Sequence, residues 1–208
     1  MKLVELKVED YLKLLGSDAP APGGGSVSAL AGAQGMALMN MVCSLTIGKA
    51  KYAEFEKDCI TAKEKGESLF LELTKAIDED TEAFNLVSAA FKMPKETEEE
   101  KAARSKAIGD ATLIATEVPY KTMILSLEGL ETVAGLVGRT NSNAASDLGV
   151  SGLNLMAAVK GAWYNVLINL SGVKDPVKRA FFEEEGKETV RKAAALSEKI
   201  EMEIMESL

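Results

Sequence analysis

Apolar positions along this chain recur at helical spacing, and no stretch alternates with period two between turn signals. The pattern predicts a short amphipathic helix over Val8 to Leu15, closed by the turn Gly16 to Pro20. A Gly/Pro turn, Pro20 to Ser26, opens a long helix that ends near Gly48. A third helix is predicted from about Ala53 to Phe91, with Leu69, Leu73, Ile77, Phe84, Val87 and Phe91 on one face. Thr97 with Glu100 reads as a capping box. The helix that follows runs toward Val118, Pro119 marks a kink or boundary, and Met123 to Val137 forms another helix. After the loop Thr140 to Asn143, a helix covers Asn143 to Leu170. Asp175 and Pro176 supply a cap and a first-turn proline for a last helix ending near Ser207. No linker, composition shift or internal repeat divides the chain, so the expected fold is all-α, one domain over residues 1–208, built as a bundle of long, mostly antiparallel helices.

Two of these helices are too apolar for a surface. Ala19 to Gly48 carries no charged residue and is rich in Gly, Ala and Ser. Its length would permit a membrane span. Ser28, Gln34, Asn40, Ser44 and Thr46 interrupt the apolar run, however, and the other helices are ordinary amphipathic ones, so a buried central helix, also suited to a subunit interface, is the expectation. The helix Asn143 to Leu170 has two charges, Asp147 and Lys160. At about 100° per residue, Asp147, Ser151, Asn154, Asn165 and Asn169 share one narrow sector, with Gly161 and Ala158 leaving space beside it. An unpaired buried amide or carboxylate costs about 1–3 kcal/mol. Such a stripe is either a satisfied polar seam between helices, a solvent-facing stripe or a pocket wall, and its small neighbours favour the pocket.

Composition removes several classes of chemistry. The 208 residues carry a net charge of −8, which argues against nucleic acid and anionic membranes as partners. Histidine is absent, which excludes Ser-His-Asp and Cys-His catalysis and the common zinc hydrolase sites. Acid–base work must fall to Asp, Glu, Lys or Tyr. Cys43 and Cys59 form no CxxC pair and have no histidine to activate them. The N-terminus shows no basic segment followed by an apolar one, so the expected location is the cytoplasm.

Three further segments hold candidate chemistry. The glycine turn Pro22 to Ser26 lacks a preceding strand and the Lys-Ser/Thr ending of a phosphate loop. What it offers is close backbone approach at a helix N-terminus, or only a tight entry turn. Lys49 and Lys51 follow the C-terminal end of the same helix, where cations favourably meet its dipole and where a ligand carboxylate could also be received. In the acidic run Asp78 to Glu82, Asp80 shares a side with Phe84 and Val87 and can face inward.

Taken in order, Pro22 to Ser26, Met41 to Tyr52, Pro94 to Arg104, Ser146-Asp147 and Asn165 to Asn169 resemble the formiminotetrahydrofolate cyclodeaminase / methenyltetrahydrofolate cyclohydrolase family over nearly the whole chain. Family members often carry Gly-Asn before the Ser-Asp pair, whereas this loop reads Thr140-Asn-Ser-Asn-Ala-Ala-Ser-Asp147. The resemblance implies a homodimer, a reduced-folate substrate that can be polyglutamylated, no metal and no separate cofactor. It implies either water addition to 5,10-methenyltetrahydrofolate, giving 10-formyltetrahydrofolate, or cyclisation of 5-formiminotetrahydrofolate with loss of ammonia. The Thr46 to Tyr52 stretch looks more like the cyclohydrolase branch. On this footing Asp147 or Asp80 is the acid–base or cation-stabilising carboxylate. Asn143 and Asn165 orient the pterin, Pro22, Gly23, Gly24, Gly25 and Ser26 shape the pocket, and Lys49 and Lys51 take the glutamate tail. The competing class is a helical interaction protein whose stripe is only a dimer seam.

Overall fold

The computed structural model describes residues 2–208, and among these there is no strand. Six α-helices form the bundle: α1 (Val8–Leu15), α2 (Gly24–Thr46), α3 (Glu56–Phe91), α4 (Glu98–Ala134), α5 (Ala145–Leu170) and α6 (Pro176–Ser207). The predicted starts at Ala53 and Asn143 fall instead in short 3-10 turns, Ala50–Phe55 and Ser142–Ala144. The capping box at Thr97 and Glu100 and the Asp175 cap form as expected.

One apolar core runs through α2 to α6, with Met36, Met39, Leu73, Met123, Leu130, Leu155, Val159 and Ile200 all closed to solvent. A satellite cluster of Tyr11, Ala29, Ala76 and Ile77 docks α1 on α2 and α3. The small residues of α2 do what their size predicts. Gly35 lies so close to α5 that a Cβ would meet Ser151 O at 2.9 Å and Leu155 Cγ at 2.8 Å. Helix α2 is long and apolar enough to cross a membrane, yet 56% of its most apolar stretch is buried inside the bundle.

Helix α4 corrects one expectation. Pro119 neither ends nor divides it; the helix is continuous from Glu98 to Ala134. Proline has no N–H, so the Ala115 carbonyl four residues earlier loses its helical donor. Asn169 of α5 supplies the replacement, Nδ2 donating to Ala115 O at 2.7 Å. Removing it should orphan that carbonyl, so Asn169→Ala is expected to cost about 1–3 kcal/mol by denaturant unfolding. In a Pro119→Ala background, which restores the N–H, the same change should cost much less. Equal losses in both backgrounds would show that the amide does not repair the helix.

Candidate functional site

Helices α2 and α5 pack antiparallel, which Gly24 beside Asn165 and Gly35 beside Ser151 establish. Of the polar stripe of α5, Ser151 and Asn165 therefore meet α2, while Asn169 reaches α4. This corrects the expectation of one continuous pocket wall. Ser151 is fully buried and donates to Gly35 O at 2.7 Å, a satisfied seam. Asn154 turns back to its own helix, donating to Val150 O at 3.0 Å. Only Asn165 and Asn169 open onto a cavity.

That cavity has a volume of about 320 Å³ and lies where the N-terminal end of α2 meets α3, α4 and the C-terminal half of α5. Pro20, Ala21, Gly23 and Gly24 form its rim, and Phe84, Val87 and Ile168 its apolar wall. Asn165 and Asn169 supply its amides. Asp80 is the one ionisable side chain lining it among the described residues.

The glycine turn and Asp80 are made for one another. Asp80 comes from the middle of α3 and accepts the Ser26 backbone N–H at 2.9 Å through Oδ2. Helix α2 has no side-chain cap of its own, so this carboxylate takes one of its free N–H groups. A methyl group on Gly25 would overlap the carboxylate. The triple glycine thus places Asp80 against the backbone, not a phosphate. Pro22 is buried behind the turn, after a cis Ala21–Pro22 bond, and Ser26 is closed to solvent, its hydroxyl 3.4 Å from the Tyr11 hydroxyl. Burial pushes the Asp80 pKa above the usual carboxylate value, and the Ser26 N–H pulls the other way. Asn165 holds its amide by donating to Gly161 O at 2.9 Å.

The other expected site residues are elsewhere. Asp147 sits on the first turn of α5, about 27 Å along the helix from Asn165. Lys49 and Lys51 are exposed beyond the opposite end of α2, a helix of 23 residues that is about 35 Å long. Asn143 is at that far end too, in the turn that leads into α5. Within one chain, then, the expected residues separate into a glycine-turn group with Asp80 and Asn165, and a far group of Lys49, Lys51, Asn143 and Asp147.

The far group contains a pair that sequence reasoning did not single out. The Tyr52 hydroxyl lies 3.1 Å from the Ser142 hydroxyl and accepts the Ser142 backbone N–H at 3.0 Å. Lys51 Nζ stands 5.1 Å from the centre of the Tyr52 ring. Chiefly through the Ser142 hydrogen bonds, the phenol pKa falls to about 8. An ultraviolet titration should therefore show one tyrosine ionising near pH 8, and Tyr52→Phe should remove that step. Persistence of the step in the variant would assign it to another residue. Burial, by contrast, lifts the Cys43 thiol to about 12 and raises that of Cys59 as well, which disfavours the reactive thiolate.

The pattern of the Formiminotransferase-cyclodeaminase family matches residues 7–188. The chain belongs to this family. A methenyltetrahydrofolate cyclohydrolase from Methylorubrum extorquens is 43% identical over 196 residues, covering 93% of each protein. The formimidoyltransferase-cyclodeaminase of Rattus norvegicus is 31% identical over 175 residues, which are 84% of this chain and 32% of that protein. Among solved structures, the formiminotetrahydrofolate cyclodeaminase of Thermotoga maritima has a TM-score of 0.81 at 25% identity, covering 100% of this chain and 98% of that one. The family found by these comparisons is the one that the five ordered motifs resemble.

Proposed function

We propose that this family member hydrolyses 5,10-methenyltetrahydrofolate to 10-formyltetrahydrofolate, with Asp80 as its acid–base carboxylate. The observation that carries the assignment is the single desolvated carboxylate in a cavity otherwise lined by amides, backbone and apolar side chains. The choice of reaction is supported by the 43% identity to a methenyltetrahydrofolate cyclohydrolase along almost the full length of both proteins.

The substrate's methenyl carbon bridges N5 and N10 in a cationic amidinium. A carboxylate in a poorly solvated cavity attracts that cation strongly, and the cation in turn favours the ionised carboxylate. Asp80 accepts a proton as water attacks the carbon, giving a neutral hydroxyl adduct. It then returns a proton to N5 as the carbon–N5 bond breaks. The hydroxyl closes to a carbonyl, leaving the formyl group on N10, and one proton is released overall. The carbon stays at the formate oxidation level, so no redox cofactor is needed. Ser26 N–H fixes one carboxylate oxygen throughout. Asn165 and Asn169 each commit Nδ2 to a backbone carbonyl and retain an amide oxygen for the pterin N–H edge. Phe84, Val87 and Ile168 give the ring faces an apolar wall. A cavity of 320 Å³ is at the small end of the roughly 300–1,000 Å³ range of ligand sites, enough for the fused rings and not the tail.

The protein would act in the cytoplasm as a homodimer. The exposed apolar residues Val27, Met41 and Leu45 on α2, and Val150, Leu153, Tyr164 and Leu167 on α5, support the dimer reading. The cyclodeaminase reaction is the second reading, favoured by the Rattus norvegicus and Thermotoga maritima relatives. Offering both substrates to the purified protein separates the two: loss of methenyl absorbance without ammonia is expected, and ammonia from the formimino substrate at comparable kcat/KM would overturn the assignment.

A further inference from the structure

The polar side chains lining the cavity, Asp80, Asn165 and Asn169, are each held by one end. Asp80 accepts the Ser26 N–H through Oδ2, and Asn165 and Asn169 donate through Nδ2 to Gly161 O and Ala115 O. Each keeps an oxygen for a ligand. The two amides are held differently, however. Gly161 lies one turn before Asn165 on α5, so that contact stays within one helix. Ala115 belongs to α4, and its carbonyl is open to Asn169 because Pro119, one turn further on, has no N–H to donate.

Pro119 is itself buried and does not line the cavity. It reaches the lining through Ala115, which does. A proline ring presses on the carbonyl four residues earlier, which tilts that group away from the helix axis. Lost donor and tilt together present Ala115 O to α5. A carbonyl accepts and cannot donate, so only the nitrogen end of the Asn169 amide can face it. Turning the amide over would set oxygen against oxygen and leave the carbonyl unpaired. The amide is therefore held in one orientation, with Oδ1 unengaged.

A pterin answers to that orientation through its pyrazine ring. In the reduced ring N8 carries a hydrogen and donates; in the fully oxidised ring N8 is an acceptor. Free oxygens on the protein favour the first and leave the second facing like groups. We propose that Pro119 is a positioning residue for this cavity: by opening the Ala115 carbonyl it fixes the Asn169 amide with its oxygen free, and so biases the cavity toward pterins with a reduced pyrazine ring. The nature of the ligand rests on the folate reading above; the setting of the amide does not.

Pro119→Ala returns an N–H to α4 and draws the Ala115 carbonyl back into the helix, which frees the Asn169 amide to turn. Asp80 is held from α2 and α3, so hydrolysis of the methenyl substrate should change in KM much more than in kcat. Calorimetric binding of tetrahydrofolate and of folic acid gives the sharper readout. The wild-type preference for tetrahydrofolate should shrink by about tenfold in Pro119→Ala, the scale of one hydrogen bond, with folic acid bound more tightly than before. A general loosening of α4 would instead weaken both ligands alike, and that result overturns the proposal. Asn169→Ala should shrink the preference by itself, and Pro119→Ala should then change it no further, because the amide through which it acts is gone. A preference that survives Pro119→Ala, or a Pro119→Ala effect that persists without Asn169, also overturns the proposal. The amide is read directly by NMR without ligand: the side-chain amide signals of Asn169, assigned by their loss in Asn169→Ala, should shift in Pro119→Ala. If the wild-type protein binds neither compound, the folate reading falls, while these signals still decide whether Pro119 sets the amide; unshifted signals would show that it does not.

Discussion

Asp80→Asn should lose at least about 100-fold in kcat, the order that one positioned acid–base group contributes, without losing stability. The amide oxygen can still accept the Ser26 N–H, so the end of α2 keeps its partner. Meanwhile the substitution removes a carboxylate that burial disfavours. A carboxyl whose pKa is raised on folding adds stability that is fully present below its unfolded value. That stability is lost as pH rises through the folded value. At neutral pH the ionised Asp80 therefore costs stability, and the Asn variant should melt at or above the wild-type temperature. The difference should shrink as pH falls below the ordinary carboxylate range. In wild-type protein, kcat/KM should decline toward acid with a midpoint above that of a free Asp. Wild-type turnover by a folded Asp80→Asn variant would remove Asp80 from the chemistry and return attention to Asp147.

The second large effect is expected at Gly25, a residue with no polar atom to offer a ligand from its side chain. Gly25 is buried, and a methyl there would occupy the space of the Asp80 carboxylate. Gly25→Ala should displace that group from Ser26 and reduce kcat by an amount comparable to Asp80→Asn, on the order of 100-fold. It should also cost about 1–3 kcal/mol from overpacking, measurable by thermal unfolding. Because both changes act through one carboxylate, Asp80→Asn/Gly25→Ala should be little slower than either single variant. Losses that multiply in the double variant would mean that Gly25 serves the site by a separate route, such as its own backbone N–H.

Much of this was legible in one dimension because helices have a fixed period. The apolar spacing of α3, the Thr97 capping box, the Asp175 cap and the burial of the charge-free α2 are all local or nearly local facts. The absence of histidine confined acid–base chemistry to a few residue types. The side shared by Asp80, Phe84 and Val87 pointed at the residue that lines the cavity. Asn169 was visible on the α5 stripe, but its service to Ala115 was not, because the vacancy it fills is made by Pro119 on another helix. Pro119 looked like a boundary for the same reason: the cost of a mid-helix proline is local, and its compensation is not.

Fold class, helix order and the list of chemically able residues were thus set by the order of amino acids, since period, caps and composition act over a turn or two of chain. Which of those residues meet was settled only by packing. Angular position on α5 placed Asp147 and Asn165 on one side, as it must, and said nothing of the roughly 27 Å between them that puts only one at the cavity. The antiparallel seating of α2 on α5 assigned Ser151 to a seam and Asn165 to the cavity, and the packing of α2 on α3 brought the glycine turn to Asp80. Contacts between residues more than 50 positions apart, such as Ser26 with Asp80, depend on how whole helix faces fit, and no local pattern encodes that fit.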